Sequence, residues 1–289
     1  MKILVTESQY KKILGEEKEQ KIFRVPGLNF FHENHWEAWQ ILQKVLERRG
    51  NPPYTIDGYL EFEGTTINSL GNLTSVRGDL FLINTPIKSL GNLQSVGGNL
   101  DLQLTPIESL GNLQSVGGNL DLEGTPIQSL GNLQSVGGNV FLRETPIKSL
   151  GNLESVGGRL YLQETPIRSL GNLQSVGVDL DLEKTPIESL ENLTSVGGNL
   201  YLRRTSIQSL GNLQSVGGDL YLVETPITSL GNLQSVGGNL YLQFAPIESL
   251  ANLTSVGGDL DLRGTPLSKK YTEEQIRQMV DVGGEILLK

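Results

Sequence analysis

"TPIESLGNLQSVGGNLDLEG" (Thr105–Gly124) is followed at once by "TPIQSLGNLQSVGGNVFLRE" (Thr125–Glu144). The same phrase returns every 20 residues without slippage, from Leu60, Leu80 and Leu100 through Val140 to Leu260. A fixed period of this length marks stacked structural repeats, each too small to bury its own apolar face. Eleven coils follow, reading roughly L-x-L-x-x-T-P-I-x-S-L-G-N-L-x-S-V-G-G-x.

The apolar letters predict the path of one coil. Leu120 and Leu122 alternate with Asn119, Asp121 and Glu123, a period of two that predicts a short strand with one buried face. Ile127, Leu130, Leu133 and Val136 recur every three residues, which suits a tight return path. Pro126 offers no N–H to a strand ladder and ends the strand. Gly137 and Gly138 are expected to turn the corner at positive φ. With strands about 4.8 Å apart, eleven coils make a rod about 50 Å long.

The letters Leu120, Leu122, Thr125 and Ile127 form L-x-L-x-x-T-x-I, which resembles the leucine-rich repeat family, whose pattern is L-x-L-x-x-N-x-L. Thr stands here where the family has Asn, so the family's Asn ladder does not carry over directly. "SLGNLQSVGGNLDL" also looks like the receptor L-domain variant. The resemblance covers about residues 58–267. It implies a right-handed, β-rich, β-helix-like repeat solenoid with one parallel sheet. Residues 1–57 are expected to form a helical N-terminal cap, with helices near Glu7–Leu14 and His35–Arg49, the second started by Asn34. Its apolar face is Trp36, Trp39, Ile41, Leu42 and Val45. Residues 268–289 are expected to form a short helical C-terminal cap, with a capping box at Thr272 and Gln275 and a last strand in "EILLK".

Composition narrows the function. Of the 289 residues, 37% are hydrophobic but only 6% aromatic, so the core is aliphatic. The net charge of −9 argues against nucleic acid or an anionic membrane as partner. The absence of cysteine removes disulfides and thiolate chemistry. The opening "MKILVTESQYKKIL" has only Ile3–Val5 as an apolar run, too short for a secretory signal. No stretch is long enough to span a membrane. These features predict a soluble cytoplasmic protein. The same opening resembles those of some phage-encoded proteins, which adds a virion-associated setting as an alternative.

The fixed polar letters, Thr85, Ser89, Asn92 and their equivalents, are expected to be inward ladders that satisfy backbone groups, because a catalytic site is built once and not ten times. The sequons at Asn72, Asn192 and Asn252 fall on that fixed Asn. "FFHENHW" holds the only two histidines, His32 and His35, with Glu33 between them. Without a third strong ligand it reads as a helix start and not a metal site. No cofactor is implied.

Variation concentrates on the outward strand positions. One column runs Glu61, Phe81, Asp101, Asp121, Phe141, Tyr161, Asp181, Tyr201, Tyr221, Tyr241, Asp261. The next includes Arg143, Arg203 and Gln243, and beside it stand Leu104, Lys184, Arg204 and Phe244. Lined-up aromatics are favoured in binding surfaces. The expected function is a non-enzymatic recognition module for a protein partner, with carbohydrate second among ligands. The expected contact residues are Phe81, Phe141, Tyr161, Tyr201, Arg203, Tyr221, Tyr241 and Gln243, with Asp181 and Asp261 as rim charges. The alternatives are a structural rod or particle component, and a carbohydrate-binding adhesin. No motif for nucleotide, metal or nucleophilic chemistry stands on the ribbon.

Overall fold

The computed structural model describes residues 22–28 and 34–289. The predicted helix at 7–14 lies outside them, as do His32 and Glu33. The repeats stack as a parallel β-solenoid with short helices toward its ends.

Each coil sends six apolar side chains inward, all aliphatic except Phe62. Leu120, Leu122, Ile127, Leu130, Leu133 and Val136 are all at most 1% exposed, and their copies continue this core along the stack. The outward strand at Leu120–Asp121 pairs in register with Leu100–Asp101 and Val140–Phe141, as the alternation predicts.

The expectation of one parallel sheet is corrected. Among the described residues there are two, of 12 and 13 strands. The second is built mainly from the Ser-Val pairs of the return path, Ser115–Val116 lying between Ser95–Val96 and Ser135–Val136; Phe23–Val25 and Tyr54–Ile56, inside the segment expected to be a helical cap, extend it at one end and Asp281–Val282 at the other. The third face is held by scattered single bridges such as Ser89–Ser109. Val116 has Gln114 and Gly118 two positions to either side, so no apolar alternation marks this strand, whereas Leu120 is followed by Leu122.

The glycines also behave differently from expectation. The left-handed residues are the Gly131 type, with φ of +59°, and the residue after the Leu strand, such as Asn84 at +53°. Gly137 and Gly138 do not have positive φ. They are glycine because successive coils touch there. A Cβ on Gly137 would sit 2.2 Å from Gly117 O, and one on Gly138 would sit 2.3 Å from Asn119 Oδ1.

That Asn119 amide belongs to a ladder hidden in the last, variable letter of the repeat. Asn119 N–H donates to Asn99 Oδ1 (2.8 Å), and Asn139 N–H to Asn119 Oδ1 (2.7 Å). Asp79, Asp179, Asp219 and Asp259 play the same part. The ladder breaks at Arg159, which has no such oxygen. One coil later, where the other coils carry the second glycine of the pair, stands Val178. The glycine disappears together with the oxygen that required it.

Of the three fixed polar columns, only Thr points inward. Thr125 is 2% exposed, and its hydroxyl donates to Leu122 O at 2.7 Å. Ser129 and Asn132 face outward, correcting the inward reading, yet both serve backbone. Ser129 Oγ accepts from Gly131 N–H (3.1 Å), and Asn132 Nδ2 donates to Gly111 O (3.2 Å). The sequon residues Asn192 and Asn252 make the same bond to the preceding coil.

Helix α1 (His35–Glu47) packs on the first coil, and the Asn34 side chain accepts from Trp36 and Glu37 N–H at its start. Its buried residues are Ala38, Trp39, Leu42 and Leu46. Ile41, expected inside, is 41% exposed, because it lies about 200° around the helix from Trp39. Trp39 meets the Phe62 ring edge-on at 5.2 Å; Phe62 takes the place of Leu82 in the next coil.

At the other end, α2 (Pro266–Lys270) and α3 (Glu273–Met279) lengthen the last turn, so that Ile286 pairs with Leu260 across 26 residues. The Thr272–Gln275 capping box is present, and "EILLK" does carry a strand, Ile286–Leu287. Arg277 Nη1 and Nη2 donate to Val282 O (2.8 Å) and Gly284 O (2.9 Å). Within the stack the equivalent carbonyls receive N–H groups from the next coil, as Val256 O and Gly258 O do from Gly283 and Gly284. The guanidinium therefore stands in for the next coil's backbone.

Candidate binding face

The in-register stacking that forms the Leu sheet puts each outward side chain beside its own copy. The Tyr201 and Tyr221 rings lie 4.9 Å apart at 8°, and Tyr221 and Tyr241 4.8 Å apart at 15°. Phe141 and Tyr161 form a second stack, at 5.2 Å. All five are half-buried, since ring faces cover one another and leave edges to solvent. Two hydroxyls turn back to the Asn/Asp ladder: Asn199 Nδ2 donates to Tyr201 OH (3.1 Å), and Tyr221 OH donates to Asp219 Oδ2 (2.9 Å). Burial first, and then the Asp219 carboxylate, push the Tyr221 hydroxyl up to about 12. Phe81 sits between Glu61 and Asp101 in register and joins neither stack.

The neighbouring columns carry charge that is largely paired across coils. The Arg203 guanidinium lies over the Tyr221 ring at 4.8 Å and reaches Glu183 at 3.8 Å. Arg143 covers Tyr161 at 5.1 Å. Lys184 pairs with Glu164, and Arg204 with Glu224 at 3.2 Å. Glu183, Lys184, Arg203, Arg204, Val223, Glu224 and Gln243 line a cleft of about 440 Å³ beside the tyrosines.

The aspartates of the ribbon have a structural task. Asp101, Asp121, Asp181 and Asp261 each accept the N–H two residues on, at 3.0–3.1 Å. Burial, more than any neighbouring charge, pushes the Asp101 and Asp181 carboxyls above their usual range. Asp261 is not the rim charge expected. It is 1% exposed, bonded to Arg263 Nη2 (2.6 Å) and Gln243 Nε2 (2.5 Å). That contact also ties down the Gln243 side chain, which is half-buried.

Two apolar side chains project beyond the strand edge. Phe244 is 69% and Leu104 65% exposed, both in the left-handed region at +63° and +55°. Each is followed one coil later by a glycine. A Cβ on Gly264 would meet Phe244 Cδ1 at 2.6 Å, and one on Gly124 would meet Leu104 Cδ2 at 3.2 Å. Leu104 is absent from the contact residues expected from sequence. Its signal was an apolar residue in a column that, Phe244 apart, is polar, charged or glycine, paired with that downstream glycine.

Larger hollows lie elsewhere: one of about 680 Å³ beside His35, Trp36, Tyr59 and Glu61, and two troughs of about 700 and 540 Å³ along the Ser-Val sheet. The troughs are lined by the fixed Ser, Val and Gly columns. The varied chemistry sits on the Leu sheet.

His35 Nδ1 accepts the Glu61 N–H at 3.1 Å, and its ring rests 4.8 Å from that of Tyr59. Burial lowers its pKa, against the pull of Glu61. Among the described residues no group of three or more His, Asp or Glu is placed to hold a metal. None of their helices is long and apolar enough to cross a membrane. Comparison with protein-family models, with curated proteins and with solved structures found no match to the chain.

Proposed function

We propose that the chain is a non-enzymatic recognition scaffold that binds a protein partner through the variable face of its Leu sheet. The observation that carries this reading is the exposure of Phe244 beside the tyrosine stack and the arginine-lined cleft. Phe244 lies over Gly264 of the next coil, yet it remains 69% exposed in a left-handed conformation. Exposed aromatics next to arginine supply the contact area on which protein interfaces rely. On this reading the repeat is a leucine-rich-repeat variant in which Thr serves the backbone from the family's Asn position. The setting, cytoplasmic or virion-associated, and the phage origin rest on the sequence alone.

A second reading, a structural rod, is favoured by the tyrosines themselves. Their faces are spent on one another and two hydroxyls are tied inward, which accounts for the trio without a partner. Phe244→Ser separates the readings more cleanly than any tyrosine change, because it removes little packing. A recognition face loses at least about tenfold in affinity, some 1.4 kcal/mol, for a partner captured by the unchanged protein. Equal capture by the Phe244→Ser and Arg204→Ser variants, at unchanged melting temperature, supports the rod.

A further inference from the structure

The two sheets finish differently at the C-terminal end. Arg277 supplies the Ser-Val sheet with substitute donors for Val282 O and Gly284 O. The Leu sheet receives nothing comparable. Its last strand, Ile286–Leu287, is an edge of the 12-stranded sheet. Leu260 N–H donates to Glu285 O and Leu262 N–H to Leu287 O, both at 2.9 Å, so residues 285 and 287 face the stack. The alternating residues Ile286 and Leu288 direct their N–H and C=O away from it, and among the described residues no backbone group meets them. At the opposite edge of the same sheet, the His35 imidazole occupies the Glu61 N–H.

An open edge is a template for another strand, and proteins usually blunt it with charge, proline or a bulge. Here the edge reads Glu285-Ile286-Leu287-Leu288-Lys289. Laid antiparallel on itself with Leu287 at the centre, the segment is self-complementary. Glu285 falls opposite Lys289 of a second copy, Ile286 opposite Leu288, and Leu287 opposite Leu287. Ile286 and Leu288 are the residues with free backbone groups, and in an antiparallel ladder such a pair exchanges both N–H···O bonds. Their side chains belong to the inner face, where Ile286 is 7% exposed and Leu288 packs against the core. Pairing would therefore join the two cores. Leu287 stands in register with Asp261 on the outer face, half-buried within its own chain, and would meet Leu287 of the second copy there.

We propose that two copies of this chain associate end to end through antiparallel pairing of residues 285–289, as a two-fold dimer that continues the Leu sheet from one solenoid into the other. Such an interface is isologous, the commonest closed arrangement. It uses the end of the solenoid and leaves the variable face free, so it stands or falls independently of the recognition reading.

The test uses the 289-residue chain, its Glu285→Lys and Lys289→Glu variants, and the double exchange. Light scattering coupled to size exclusion, over a concentration series, should show a dimer for the unchanged protein. Each single variant places like charges opposite one another and should weaken the dimer about tenfold; the double exchange should restore it. Because the chain has no cysteine, Leu287→Cys introduces one thiol per copy. Facing Cα atoms in such a pair lie about 4.5–5.5 Å apart, within disulfide range, so mild oxidation should give a covalent dimer. A monomer at every concentration overturns the proposal. So does a dimer indifferent to the single reversals, an exchange that fails to restore it, or a Leu287→Cys protein that does not cross-link.

Discussion

Replacing Gly138 with valine tests whether the glycine pairs serve contact between coils rather than backbone conformation. The new Cβ would lie 2.3 Å from Asn119 Oδ1, 2.8 Å from Gly118 C and 2.9 Å from Asn119 N. The Asn119 amide must then swing out, and the Asn139 N–H loses its 2.7 Å partner. An abandoned donor costs about 1–3 kcal/mol and overpacking about 1–3 kcal/mol. The sum, about 2–6 kcal/mol, is large for one solvent-side substitution. Asn119→Arg reproduces the natural arrangement at Arg159 and Val178, in which no amide opposes the valine. In that background the cost of Gly138→Val should fall by about 1–3 kcal/mol, the share due to the amide.

The converse pair is already in the chain. Arg159→Asn should destabilise beside Val178, and be tolerated in the Val178→Gly background. Guanidinium unfolding followed by circular dichroism gives the double-mutant cycle, and native-state hydrogen exchange localises any loss to the altered coils. Coupling below about 0.5 kcal/mol in both cycles would refute the steric account.

Arg277→Ala should raise amide exchange at Val282–Leu287 and cost about 1–3 kcal/mol locally, by leaving two carbonyls unpaired; unchanged exchange there would show that the bonds are dispensable. Changing Tyr201, Tyr221 and Tyr241 together to serine removes two stacked contacts and should cost about 1–3 kcal/mol in thermal unfolding; an unaltered melting temperature would contradict the stack. Because folding raises the Asp101 and Asp181 carboxyls above their ordinary 3.8, their stabilising contribution is present below that value and is lost as pH rises through the raised one. Asp101→Asn with Asp181→Asn keeps the acceptor oxygen, so it should raise the melting temperature at pH 7 and leave it unchanged at pH 3. Deleting residues 1–57 uncovers Phe62 and should cause aggregation on light scattering; a monomer of equal heat stability would overturn that expectation.

The period of 20 made the stack and its inward aliphatic letters legible, because a residue repeated in phase must fit beside its own copy. What stayed hidden follows from the same rule. A Ser-Val strand such as Ser115–Val116 has one apolar letter, with Gln114 and Gly118 two positions to either side, so no alternation betrays it. Gly137 and Gly138 read as turn residues because composition cannot separate a conformational need from a steric one. Val178, one coil after Arg159 breaks the ladder, separates the two, because the Asn119 side chain reaches forward under the second glycine of the next coil and Arg159 does not.

Self-pairing also limits what the ribbon says about function. Like charges in adjacent coils repel, so although Glu144 stands beside Glu164 and Lys184 beside Arg204, the stack gains wherever opposite charges meet or aspartates accept backbone N–H groups. Lys184 beside Glu164, Arg203 beside Glu183 and Arg204 beside Glu224 are what the stack itself demands. The tyrosine trio satisfies the same demand by lying face to face. None of these needs a partner. Phe244 and Leu104 are different. Each covers a glycine in the next coil and gains little by it, while the rest of the side chain is left in water in a backbone conformation that favours glycine or asparagine. Stacking gives no reason to keep them, and a ligand does. The case for recognition therefore rests on these two positions, and the Phe244→Ser comparison bears on it more directly than any change to the tyrosines.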